Sequence, residues 1–341
     1  MIRIFHHSKY EFVRHWRIAA GLTIAFIMAG LVTFFITGGV NYSIEFTGGT
    51  LMQVTFKQPP DVGVMRSTLD KAGITGAEIQ QFGTPTDYTI RAREEKQVAA
   101  QAAGAEGISK RIQTALNQQF GGNEMTVVRT EAVGPKVGGE LRQGAFYAMI
   151  ITSIFTLIYL AIRFDWRFGL AAVISTAHDI LVTFAFIKLM DLEVSLTVVA
   201  AILTLLGYSA NDTIIIFDRV REDLRKRTKG ESMAHVLDRA INETLPRSVM
   251  THATTLAATL ALLFFAGEVI RPFAWVMAFG IFVATFSSIY VAGPVLLWIE
   301  SRYPRAASEA AGRAMRAGAG AGTEPPVEPT KPRGNERVVA R

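Results

Sequence analysis

The chain of 341 residues contains no cysteine. That absence excludes disulfide frameworks, thiolate metal centres and thiol nucleophiles, and it is silent on compartment. No G-x-x-x-x-G-K-S/T phosphate loop occurs, so nothing in the sequence points to ATP hydrolysis. No nucleophile–base pair or metal-ligand cluster stands out, so no enzyme class, cofactor or metal is expected. Charged residues are few, 19% of the chain, against 50% hydrophobic residues that include 22 phenylalanines. With a mean hydropathy of +0.28, this composition selects a membrane protein over a soluble one. The net charge of +6 then reads as Lys- and Arg-rich inner loops and contact with lipid, not as a nucleic-acid surface.

Six stretches are long and apolar enough to cross about 30 Å of hydrocarbon as helices: Ile18–Thr37, Gly144–Ile162, Phe168–Leu189, Val194–Phe217, Thr244–Phe265 and Phe273–Ile299. The first is too long for a signal-peptide core and no A-x-A site follows, so it is expected to be an uncleaved anchor. With the N-terminus inside, the inner segments hold 22 of the 35 Lys and Arg residues. The short outer turns hold only Arg271, with Lys188 at an edge, and a long translocated stretch is exempt from the positive-inside rule. The expected layout is an inner N-terminus (1–17), a first span (18–37), an outer domain (38–143), a five-helix bundle (144–300) with an inner loop (218–243), and a disordered inner tail (301–341).

The outer stretch carries the patterns of a folded domain. Ser43–Phe56 alternates like a strand and is bounded by Pro59-Pro60, and Asp61 can cap a helix to about Ala72. Glu78–Phe82 and Tyr88–Ala92 read as a strand pair, Gly107–Phe120 as a helix and Met125–Val133 as a last strand. The order βαββαβ predicts a ferredoxin-like α+β unit. Glu94–Glu106, rich in Ala and Gln, reads as a mobile loop. Gly48-Gly49 and Gly138-Gly139 fit either hinges between this domain and its base or ordinary turn and bulge glycines.

Polar groups at membrane depth carry the functional signal, because an Asp at a helix centre costs roughly 3 kcal/mol on the insertion scale. In the fourth span, Leu205, Tyr208, Ser209 and Asp212 recur at i, i+3, i+4 and i+7 and share a face, with Asn211 alongside. Asp212 falls about 9 Å inward of the span midpoint, and Arg247 of the antiparallel fifth span about 12 Å inward of its own, so the two can pair. Thr251, Thr254 and Thr255 continue a hydroxyl-lined track from Arg247 toward the centre. His178 and Asp179, flanked by Ser175 and Thr183 near the middle of the third span, fit a second relay, an orienting network for the first, or a structural role. Snorkelling is the plain alternative for Arg247, and a structural hydrogen bond the plain alternative for Asp212. Burial favours a protonated carboxyl and a nearby guanidinium the ionised one, so motion that separates such a pair would move a proton.

These residues resemble a known family. Ile44-Glu45-Phe46-Thr47-Gly48-Gly49-Thr50, Val133-Gly134-Pro135 with Gly139-Glu140-Leu141, the run Gly207–Asp212 followed by Phe217-Asp218-Arg219-Val220-Arg221-Glu222, and Ala240-Ile241-Asn242-Glu243-Thr244-Leu245 before Arg247 are similar to the signatures of the SecD/SecF family of the resistance-nodulation-division superfamily. The likeness spans roughly residues 15–300. It implies six transmembrane helices forming half of a pseudo-symmetric bundle in the bacterial inner membrane. It further implies a SecD partner, association with the SecYEG channel and YajC, and use of the proton motive force to promote preprotein export. In that family the fourth-span Asp and fifth-span Arg conduct protons, which maps onto Asp212 and Arg247, with Thr251 nearby. Ala210 stands where a bulkier aliphatic is common, and Pro246 is expected to alter how the fifth helix starts. The competing readings are half of a proton-driven small-molecule or lipid exporter of the same superfamily, and an assembly protein whose buried polar groups are only structural.

Overall fold

The computed structural model describes residues 9–92, 104–121, 123–228, 230–267 and 269–304. The expected loop at Glu94–Glu106 lies mostly outside these residues, and the expected disordered tail lies almost wholly outside them. The chain divides into two compact units, Met1–Leu296 and Leu297–Arg341.

The first helix, α1 (Trp16–Thr37), ends where Gly38 takes a left-handed conformation. A short turn of helix, α2 (Ile44–Thr47), then leads into β1 (Gly49–Phe56). The expected strand from Ser43 is thus helical in its first third. Ile44 and Phe46 are both buried there, as they would be in an alternating strand, so the pattern alone does not reveal the helical turn. Helix α3 (Val62–Lys71) is capped as expected: the Asp61 carboxylate accepts from the Gly63 and Val64 amides. Strands β2 (Glu78–Gln81) and β3 (Asp87–Ala92), helix α4 (Gly104–Gln119) and strand β4 (Met125–Val133) complete the module.

The four strands run in the order β2-β3-β1-β4, antiparallel throughout, with Thr50 opposite both Ala92 and Ala132. One face buries Met52, Val54, Phe56 and Ile90 beneath Met65 and Leu69 of α3 and Ile108, Ile112 and Leu116 of α4. The other face carries Leu51, Gln53, Thr89, Arg91 and Arg129 and lines a cleft of about 1110 Å³, closed on its far side by the 38–47 linker and the 190–197 connection.

Five further helical segments follow: α5 (Pro135–Arg163), α6 (Trp166–Leu189), α7 (Leu196–Arg225), α8 (Met233–Phe265) and α9 (Arg271–Ser287), the last continuing through a π-helical turn (Ser288–Ala292) into α10 (Gly293–Arg302). Among the described residues, six helices are long and apolar enough to cross a membrane, the number expected. Their bounds differ from the hydropathy pattern. Helix α5 begins at Pro135, whose missing N–H costs nothing at a first helical position. Helix α8 begins at Met233, capped by Ser232, and runs through Pro246 without ending. The connecting stretch 218–243 is therefore largely helical.

Helix α7 is the core of the bundle: Val198, Ile202 and Leu205 pack on Val276, Met277 and Ile281 of α9 and on Ile187 of α6. Small residues allow the close approach, since a Cβ on Gly280 would sit 2.1 Å from Leu205 Cδ1. Phe46 of α2 joins this cluster and ties the linker to the bundle.

Candidate functional site

Asp212 sits in the interior of three helices and is 4% exposed. Helix periodicity sets it one turn beyond Ser209 on the buried stripe of α7. Its Oδ1 accepts the Ser248 hydroxyl of α8 at 2.6 Å and its Oδ2 the Ser288 hydroxyl of the π turn at 2.5 Å. Both carboxylate oxygens are held by hydroxyls, which can donate to an ionised acid and accept from a protonated one. An arginine or a backbone amide can only donate, so it could not accept the proton of the neutral acid.

The expected pairing of Asp212 with Arg247 is not made. Consecutive residues on a helix point about 100° apart, and α8 turns Ser248 inward, which leaves Arg247 exposed with no ion pair among the described residues. Thr251 and Thr254 share that outward side, and each returns its hydroxyl to its own helix, Thr251 to the carbonyls of Arg247 and Ser248. The inward stripe of α8 is Thr244, Ser248, His252 and Thr259, all buried. His252 packs edge-on against Tyr208, with ring centroids 5.2 Å apart, and the Tyr208 hydroxyl donates to Thr255 at 3.3 Å.

A second carboxylate network lies beside the first. Asp179 on α6 is 8% exposed. Its Oδ2 accepts a short hydrogen bond from Ser209, and its Oδ1 lies 3.1 Å from His178 Nδ1. One turn earlier, Ser175 meets the Ser287 hydroxyl at 2.7 Å. Adjacent serines of the last span therefore reach different networks, Ser287 the α6 side and Ser288 Asp212. Asn211 takes no part; it is exposed on the far side of α7. Sequence reasoning set His178 beside Asp179 and placed Ser209 on the Asp212 stripe of α7; it did not foresee that Ser209 reaches Asp179, and it missed Ser248, His252, Ser287 and Ser288. The signal for the serines was available, because an adjacent polar pair in an otherwise apolar span needs a partner.

Gly48 and Gly49 lie at the other end of the bundle, both with positive φ. Gly48 closes α2 by donating its N–H to the Ile44 carbonyl at 2.9 Å. The module is laced to the bundle around it: Ser43 N–H donates to Val194 O at 2.9 Å, Val194 N–H to Asn41 O at 2.7 Å, and Leu196 N–H to Glu45 Oε2 at 2.6 Å. Arg91 of β3 forms a short ion pair with Glu193 between α6 and α7. Burial pushes the Glu193 carboxyl above its usual range, while Arg91 pulls it the other way.

Two family models match this chain, one described as protein export membrane protein SecD/SecF, C-terminal, over residues 112–302, and the SecD/SecF GG motif over residues 33–60, the stretch that holds Gly48-Gly49. The chain belongs to the SecD/SecF family. A protein translocase subunit SecF of Gemmatimonas aurantiaca is 72% identical over all of both chains. Another from Pseudomonas aeruginosa is 37% identical over 83% of this chain and 89% of its own length. Among solved structures, SecDF of Thermus thermophilus, described as a translocon-associated membrane protein, shares 34% identity over 86% of this chain with a TM-score of 0.74. A SecDF structure in a super-membrane-facing form gives 33%, 90% and 0.62. This chain spans 39% and 40% of those two longer chains. With six apolar helices, it is a multi-pass membrane protein of this family.

Proposed function

We propose that this protein is the SecF-type subunit of the accessory complex of the bacterial preprotein translocase, and that Asp212 carries the protons that drive it. It pairs with a SecD-type subunit in the inner membrane, works with SecYEG and YajC, and keeps both termini inside. The βαββαβ module faces outward as a ferredoxin-like domain, a reading supported by its strand order. Asp212 carries the mechanistic part of this reading, as an acid buried among three helices whose partners are all hydroxyls. Among the described residues no cation pairs with this acid, and its hydroxyl partners suit either protonation state. One charge crossing 100 mV is worth about 2.3 kcal/mol. At about 1.4 kcal/mol per decade, that is roughly a fortyfold shift between two conformations.

Arg247, with Thr251 and Thr254, gives α8 a polar outward face, which is costly against lipid. In this reading the SecD-type subunit covers that face, and Arg247 acts from there, one residue away from Asp212's partner Ser248. Inverted membrane vesicles test the whole account by comparing wild type with Asp212→Asn and Arg247→Met, with and without a proton gradient. Both variants should insert and co-purify with the SecD-type subunit and SecYEG, and both should lose the export stimulated by the gradient. Unchanged stimulation removes the proton role; failure to find those partners removes the subunit assignment.

A further inference from the structure

We propose that Asp179 is a second proton-binding carboxylate of the bundle, coupled to Asp212 through the serines of α7 and of the last span. The inference rests on the proton-carrying reading of Asp212 and extends it to a separate acid on a different helix.

Four observations converge on Asp179. It is buried near the middle of α6, and the side chains that hold it are one hydroxyl and one imidazole. His178 and Asp179 can share one proton with no net charge, either as two neutral groups or as an ion pair, so a protonated pair costs little in an apolar interior. The other ring nitrogen, His178 Nε2, is buried without a hydrogen-bond partner among the described residues. An orphaned ring nitrogen in native packing calls for an explanation, and a point where a proton arrives or leaves supplies one. Finally, a cavity of about 10 Å³ adjoins Asp179 and Ser209, walled in part by Thr176 and Thr183. That volume is at the lower limit for a single water.

Coupling to Asp212 follows from two short connections. Ser209 donates to Asp179 and precedes Asp212 by three residues on the same stripe of α7. Ser175, one turn from Asp179, meets Ser287, whose neighbour Ser288 donates to Asp212. Few other ionisable groups face this region. On α7 they are Asp212 and Tyr208, and on α8 the buried His252, which packs against Tyr208; α5 carries charge only toward its ends, at Lys136, Glu140, Arg142 and Arg163, and α9 and α1 only in their first turns, at Arg271 and Arg17.

Infrared difference spectroscopy between acid and alkaline pH, on the full chain with its SecD-type partner in lipid, reads buried carboxyls by their protonated C=O bands. Wild type should show two such bands, one removed by Asp179→Asn and the other by Asp212→Asn. Each single variant should shift the midpoint of the remaining band, and Ser209→Ala, which leaves both acids in place, should shift the Asp179 band. Asp179→Asn should also lower gradient-stimulated export at least tenfold. A carboxyl spectrum unchanged in Asp179→Asn overturns the proposal, even if export falls, because a structural role would account for that loss. Unchanged midpoints in all three variants overturn the coupling. Loss of an Asp179 band with no Asp212 band in wild type would instead sink the earlier assignment of Asp212 and leave Asp179 as a proton site.

Discussion

Ser288 opens the π-helical turn of the last span and donates its hydroxyl to Asp212 at 2.5 Å, with a second acceptor, the Thr285 carbonyl, 3.0 Å away. The arrangement suits an acid that changes protonation state. When Asp212 is ionised, Ser288 donates to it; when Asp212 holds a proton, Ser288 can accept from the acid and turn its own hydrogen to Thr285. A π turn widens the helix locally and is frequently found at functional sites. Here it begins at the serine that grips Asp212, immediately after the serine that meets Ser175.

Ser288→Ala should therefore reduce gradient-stimulated export by about tenfold, since a hydrogen bond to a charged group is worth about 1.5–3 kcal/mol. Thr285→Val serves as the comparison. The Thr285 hydroxyl donates to Ile281 O on its own helix at 2.9 Å, so that variant should stay within about twofold of wild type. Equal losses in both variants would mean that the span tolerates no polar change, and the specific role of Ser288 would fall.

The outward face of α8 gives a second prediction, which the absence of native cysteine makes clean to test. Single cysteines at Thr251 and Thr254 should cross-link under oxidation to cysteines on the facing helix of a cysteine-free SecD-type partner. Cysteines at Ser248 and His252, which are buried within this chain, should not. Cross-links from both pairs, or from neither, would remove α8 as the contact.

Much of the architecture was legible from period and composition alone. The six spans, the order of strands and helices, and the Asp61 cap all follow local rules that the structure obeys. What the sequence could not decide was rotation. The faces of α8 led by Arg247 and by Ser248 are both polar and lie about 100° apart, and charge drew attention to the one that does not meet Asp212 in this chain. Only packing tells them apart, by pressing Ser248 and His252 against α7. The π turn had a signal that went unread: Gly293-Pro294 follows it directly, and a proline inside a helix cannot donate to the carbonyl four residues earlier, here Tyr290, and crowds it. The onset of β1 was missed for a related reason: Ile44 and Phe46 alternate as a strand would, yet both are buried in one turn of helix.

The contact between Arg91 and Glu193 predicts a pH dependence. Burial raises the Glu193 carboxyl above its usual range, so the folded chain holds a proton there more readily than the unfolded one. Stability from this group is present at low pH and is lost as pH rises from the ordinary glutamate value through the raised one. Arg91→Met removes the cation that opposes burial, which raises the carboxyl further. The variant's melting temperature should fall more at about pH 8 than at about pH 5, by the equivalent of about 1–2 kcal/mol at the higher pH. A pH-independent loss would show that Arg91 acts by packing alone.

Gly48 provides the sharpest backbone test. Its φ of 75° and ψ of 159° fall in a region essentially reserved for glycine, and a Cβ there would lie 2.7 Å from Pro135 Cα. Strain alone costs about 1–3 kcal/mol, and the clash adds to it because both atoms belong to backbone that neither α2 nor α5 can readily shift. Gly48→Ala should lower the melting temperature and weaken the seating of α2 on α5. Gly139→Ala, one turn into α5 with nothing within 4 Å of its added methyl, should be neutral or slightly stabilising through better helix propensity, by up to about 1 kcal/mol. If the two substitutions behave alike, the glycine requirement at Gly48 is not conformational, and the close seating of the module's first turn on α5 loses its physical basis.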